Sequence, residues 1–201
     1  MNVFVLNTGR CGSTTFAKAC SHISNYSSGH EINTGRIGRA RMEYPDNHIE
    51  ADNRLSWMLG RLDSRFGKDA FYVHLTRDKD STAKSHAKRF SKGIIPAYKN
   101  GILRISREIP PLKVAEDYHR TVSANIEMFL KDKPDKMRFR IENAKNDFVA
   151  FWEAIDAEGD LDAALSEFDV KHNASGKART ENLPRPLRKL ARRIRTLSTR
   201  R

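Results

Sequence analysis

A three-layer α/β fold, a central parallel sheet with helices on both faces, is what this 201-residue sequence predicts, and three observations predict it. Short apolar runs at 3–6 and 71–76 lack polar alternation, as strands buried on both faces do, and 137–141 is a third strand candidate. Each run is followed by a segment whose apolar residues recur at helical spacing, so β-α-β-α-β-α alternation is the plan, as in P-loop-like folds. The first strand passes into its helix through Thr8-Gly9-Arg10-Cys11-Gly12-Ser13-Thr14-Thr15, two glycines, hydroxyls and one cation. Such a turn, opening on a helix N-terminus, aims backbone N–H groups and the positive end of the helix dipole at one spot.

The elements follow in order. Phe16, Ala17, Ala19, Cys20 and Ile23 share one stripe of a helix beginning near Ser13. Residues 24–29 are a short polar edge-strand candidate through Tyr26, and the Gly- and Arg-rich 33–41 reads as a surface loop. Leu55, Met58, Leu59, Leu62 and Phe66 stripe a helix that Gly67 ends, with Asp52 or Asn53 as its cap. After the strand at 71–76, where His74 reads as a core histidine, Asp78 caps a basic helix to Phe90. Residues 91–111, with Gly93, Pro96, Gly101, Pro110 and Pro111, read as an irregular insertion. Val114, Tyr118, Val122, Ile126, Phe129 and Leu130 stripe a long helix closed at Lys133-Pro134; helices through 148–155 and 161–168 follow the third strand.

Length suits one domain, 1–183, followed by a basic amphipathic tail, 184–201. The tail holds eight of the charges behind a net +12 (Arg185, Arg188, Lys189, Arg192, Arg193, Arg195, Arg200, Arg201) and no acid. Leu187, Leu190, Ala191, Ile194 and Leu197 run through it as an apolar stripe, which suits either packing on the domain or contact with an anionic membrane. A nucleic-acid- or anionic-surface-binding protein acting through this tail is the alternative reading of function; nucleic acid is disfavoured because no recognisable module accompanies the charge. Two cysteines without framework spacing, no long apolar span and no signal-peptide pattern lead to the expectation of a reduced, cytoplasmic protein.

The turn is not the usual triphosphate loop, because Ser13 and Thr14 follow Gly12 where Lys and Ser or Thr would stand, and this disfavours a kinase. A second stretch, Phe71 onward through Thr76-Arg77-Asp78 to Ser85, ends a strand in Arg and places Ser eight residues later. Together the two stretches resemble the sulfotransferase superfamily, which moves a sulfuryl group from 3′-phosphoadenosine 5′-phosphosulfate (PAPS) to an acceptor hydroxyl or amine.

The resemblance implies a set of roles. Arg10, Cys11, Gly12, Ser13, Thr14 and Thr15 form the 5′-phosphosulfate loop, Arg10 standing where cytosolic members carry lysine and tyrosine-sulfating members arginine. Arg77 and Ser85 hold the 3′-phosphate. Glu31 matches the general base of the tyrosine-sulfating branch, with His30 as alternative base or acceptor contact. Glu142 is what remains of a Tyr-Glu-Asp segment at 141–143. Lys177 and Arg179 fit a late basic loop over the 3′-phosphate. Beside these roles, the alternate spacing of His48, Glu50 and Asp52 matches no metal motif, and His48 and Glu50 remain acceptor-site candidates. The scheme requires PAPS, no metal, and a hydroxyl acceptor of small-molecule, glycolipid or saccharide type.

Overall fold

In the computed structural model residues 1–170 are described; the late loop with Lys177 and Arg179, and the tail at 184–201, lie outside them. Five parallel strands form one sheet in the order β2-β3-β1-β4-β5: β1 Asn2–Leu6, β2 Ser27–His30, β3 His48–Ala51, β4 Ala70–Thr76 and β5 Lys136–Arg140. The fold is therefore the three-layer α/β arrangement that the alternation predicts. β1 is central, paired with β3 through Val3↔Ile49 and with β4 through Phe4↔Tyr72, and all five of its residues are buried.

Both faces of the sheet are covered, which is why β1 and β4 read as continuous apolar runs. On one face Val3, Val5, Phe71, Val73 and Leu75 meet α1 (Ser13–Cys20), with α6 (Ala144–Ala154) and α7 (Leu161–Ser166) also packed there. Phe16 packs edge-on against Phe139 and Phe148, with ring centroids 4.9 and 5.7 Å away. On the other face Phe4, Leu6 and Tyr72 meet α2 (Leu59–Phe66) and α5 (Pro111–Leu130). Against α5 pack α3 (Lys79–Ala87) and the short α4 (Ile94–Ala97).

Three parts of the chain differ from the sequence reading, each for a physical reason. The segment before α2 is a strand, β3, rather than only a cap region. Its His48 and Glu50 alternate with Ile49 and Ala51, and these polar side chains are buried because partners satisfy them. His48 Nε2 lies 3.1 Å from Glu50 Oε2 and Nδ1 lies 2.8 Å from the Ser27 hydroxyl, while Glu50 Oε1 accepts from Ile32 N at 3.0 Å. The expected long helix after Asn53 is split at Met58 into a 3-10 turn, Asn53–Trp57, and α2; Ser56 Oγ donates to the Asn7 carbonyl and holds the first piece to the end of β1. Within 91–111 the chain is helical over α4 and a π turn at Tyr98–Ile102, fixed by buried Ile95 and by Tyr98, whose hydroxyl donates to Asp117.

The segment read as a surface loop, 33–41, leads into a 3-10 turn at Gly38–Met42 whose Arg41 is 2% exposed. Arg41 pairs with the fully buried Asp52 and donates to the Tyr44 hydroxyl, and Asp52 also accepts from Arg54 N. A buried charge stripped of its partner is costly. Arg41→Met should therefore lower unfolding stability in urea by about 3–5 kcal/mol, and a change below about 1 kcal/mol would show that the pair does not hold this segment.

Candidate functional site

The carboxyl ends of β1, β2 and β4 converge on the turn between β1 and α1. Three residues of that turn have left-handed backbone, Gly9 (φ 77°), Arg10 (φ 62°) and Gly12 (φ 92°). Two anchors hold this conformation. Asn7 Oδ1 accepts from Gly9 N at 2.7 Å, and His86 Nε2, on α3, faces the carbonyls of Thr8 (3.1 Å) and Gly9 (3.3 Å). Carbonyl oxygens only accept, so His86 must present Nε2–H to them. Gly12 is also required for space: a Cβ there would stand 2.7 Å from Cδ1 of Ile141. Beyond it, the first-turn N–H groups of α1 have no partner inside the helix, and they face the turn.

Cations gather around this point. Arg10 Nε donates to Ser85 Oγ at 3.1 Å, and Arg77 Nη1 donates to the Arg10 carbonyl at 3.3 Å. The Arg10 guanidinium is held below its ordinary pKa first by burial and then by the charges of Arg89 and Arg77. Arg77 follows the last residue of β4, and Ser85 sits in the last turns of α3, started by Asp78, whose carboxylate accepts from Ser81 N at 2.8 Å. Glu142 fixes the same corner by accepting from Asp78 N at 2.7 Å. Like charges placed together at a helix N-terminus destabilise the free protein and suit an anion of more than one charge.

At the end of β2, His30 Nε2 lies 3.0 Å from Ser13 Oγ and 3.5 Å from Thr14 Oγ1, so this imidazole touches the turn itself. Glu31 follows with left-handed backbone (φ 59°), and its half-buried carboxylate pairs with Arg54 Nη1 at 2.7 Å. Cys11 is 1% exposed with its thiol against Thr8 Oγ1 at 3.2 Å, and burial pushes the pKa of that thiol up, so its side chain supports the turn from within.

The structure thus brings together Arg10, Cys11, Gly12, Ser13, Thr14, Thr15, Arg77, Ser85 and His30, with Glu31 on the same sheet edge. It does not bring His48 and Glu50 there. His48 starts β3, an interior strand, at the amino-terminal end of the strands, and both are under 4% exposed, bonded to each other and covered by Tyr44, which stacks on His48 at 5.6 Å. In this position Glu50, bonded to His48, holds the chain after Glu31 through Ile32 N. Sequence reading missed Arg54, Asn53 and His86, and took Arg89 only as one cation of the basic helix after β4. Arg89 stands four residues beyond Ser85, so helical spacing alone puts it on the same side. Arg54, paired with Glu31, and Asn53, packed against Gly9, carry no such signal because the strand before them went unseen.

Compared with known proteins, the chain matches no family model, and no curated protein sequence matches it.

Burial holds His86 down to about 4, outweighing the two carbonyls that favour its protonation, and burial likewise holds His74 at about 4. Both folded values lie below the unfolded one, so the unfolded chain binds more protons as pH falls. The stability they contribute is complete above about pH 6.5 and is lost toward pH 4, on the order of 3 kcal/mol for each histidine. Urea midpoints measured across that window should fall steadily, and His86→Gln should remove about half of the slope; an unchanged slope would exclude His86 from it.

Proposed function

We propose that this protein is a PAPS-dependent sulfotransferase. The observation that carries the reading is the meeting of its two signature stretches: Arg10 and Ser85, separated by 75 positions, share a hydrogen bond, and Arg77 reaches the Arg10 carbonyl. A phosphosulfate at the turn and a 3′-phosphate between Arg77 and Ser85 would then be neighbours on one cationic surface.

In such a reaction the acceptor oxygen forms a bond to sulfur while the bond from sulfur to the bridging phosphate oxygen breaks, and 3′-phosphoadenosine 5′-phosphate leaves. Arg10 and the N–H groups of residues 11–15 are placed to stabilise the charge that grows on the departing phosphate. Arg77, Ser85 and Arg89 read the 3′-phosphate, with fork-like guanidinium donors suited to phosphate oxygens. The acceptor proton goes to a base at the end of β2. Glu31 is our first assignment for it. The Arg54 guanidinium competes with the proton for the same carboxylate, so Arg54 must turn toward another partner as the acceptor enters. His30 is the second assignment, supported by its contact with Ser13.

Calorimetry with 3′-phosphoadenosine 5′-phosphate, AMP and ATP–Mg²⁺ tests the cofactor. The bisphosphate should bind tightest, and Arg77→Ala should weaken it about 10- to 100-fold while leaving AMP nearly unchanged. Equal losses for both nucleotides, or a preference for ATP–Mg²⁺, would overturn the reading.

The base is separable by kinetics. With an acceptor found by transfer from radiolabelled PAPS, Glu31→Gln should lower turnover about 10²- to 10⁴-fold with bisphosphate affinity kept. If His30→Gln alone produces that loss, the base is His30.

A further inference from the structure

The chain that leaves Glu31 and the chain that follows Arg54 form the two walls of a second feature. The 3-10 turn Gly38–Met42 and helix α2 enclose an open groove of about 280 Å³ lined by Arg39, Met42, Gly60, Arg61, Ser64 and Arg65. Arg61 Nη2 donates to the Gly38 carbonyl and stitches the walls together. Next to that carbonyl stands Ile37, which at 87% is the most exposed large hydrophobic among the described residues, and Ile32 is 46% exposed on the same segment. Arg36 and Arg39 flank Ile37 and are exposed. Glu43 offsets Arg39 at 3.4 Å, and Arg61 and Arg65 each stand on the exposed side of α2.

We propose that this tip, residues 32–39 with Arg61 and Arg65, docks on an anionic lipid bilayer: Ile37 enters the acyl boundary and the arginines take lipid phosphates, one of them in the groove. Charge complementarity selects the occupant's sign, and the isoleucine selects a bilayer over a soluble polyanion, which would leave it in water. Stable peripheral binding takes an apolar and a basic signal together, and this tip supplies both. No helix among the described residues is long and apolar enough to cross a membrane. Buried Arg41, Glu50 and Asp52 hold the base of the tip, so it projects as a fixed shape. Docking would also bring lipid headgroups toward the Glu31 edge as acceptors; that consequence alone rests on the sulfotransferase reading.

Both native cysteines are buried, so Ile37→Cys in the full chain gives one accessible thiol for an environment-sensitive fluorophore. The labelled protein should brighten and shift blue on phosphatidylcholine–phosphatidylglycerol vesicles and not on phosphatidylcholine alone. Arg61→Ala and Arg65→Ala should each lower the bound fraction's association constant on the order of five-fold. Co-sedimentation with anionic vesicles without a change in the label would assign docking to the basic tail and overturn the proposal. The same spectral change with soluble heparin and no vesicles would overturn it in favour of a polyanionic saccharide. Calorimetric binding of 3′-phosphoadenosine 5′-phosphate, run on the same variants, stays at its parent value if only the docking surface is altered, so the two readings fail separately.

Discussion

The His86 imidazole against the Thr8 and Gly9 carbonyls is the contact on which the site depends. Three left-handed residues within four positions cannot be expected to persist in a free loop, because non-glycine residues pay to adopt that backbone and Arg10 is one of them. One N–H shared by two carbonyls closes the turn and also fastens α3 to β1. The helix that carries Ser85 and leads to Arg89 is thereby set in register with the turn that carries Arg10. Burial keeps the imidazole neutral, which is compatible with its position beside the Arg10 charge. What shapes the turn also fixes one face of the core, where Tyr118 packs edge-on to the His86 ring at 5.2 Å.

A second constraint is polar and lies in β3. His48, Glu50 and Asp52 point to one side of the sheet, where an apolar face would be expected, and every one of them is engaged: His48 with Ser27, Glu50 with Ile32 N, Asp52 with Arg41 and Arg54 N. Satisfied networks of this kind specify one arrangement of the elements they join, because any shift leaves a buried charge unpaired. Here the arrangement specified is that of residues 31–44, at whose start Glu31 meets Arg54. Gly29 belongs to the same device, since a Cβ there would stand 2.8 Å from Glu50 Oε2.

This division explains what could be read from the sequence. β1 and β4 are buried on both faces by hydrocarbon, so Val3 to Leu6 and Phe71 to Leu75 announce themselves, and Gly9 and Gly12 mark the turn between strand and helix. α5 is legible by its period. β3 was illegible because its inward residues are ionic, and burial of ions depends on partners distant in sequence that no local pattern records. The same blindness hid Arg54, while the spacing from Ser85 to Arg89 was present and went unused. For the candidate site, the residues of the turn were legible because backbone geometry dictates them; the placing of His30 against Ser13 followed from the register of an edge strand of only four residues.

Burial of Arg10 and repulsion from Arg77 and Arg89 all act against the Arg10 charge. Local rules are broken in this way at sites where another requirement prevails, and an arrangement that repels itself stores free energy that an anion can release. An anion bound only by the folded chain stabilises that chain by mass action. Affinity at the turn and stability of the β1–α3 joint are consequently two readings of one electrostatic arrangement. If the proposed bisphosphate binds here, a substitution that relaxes the repulsion should raise the stability of the free protein and weaken that binding together.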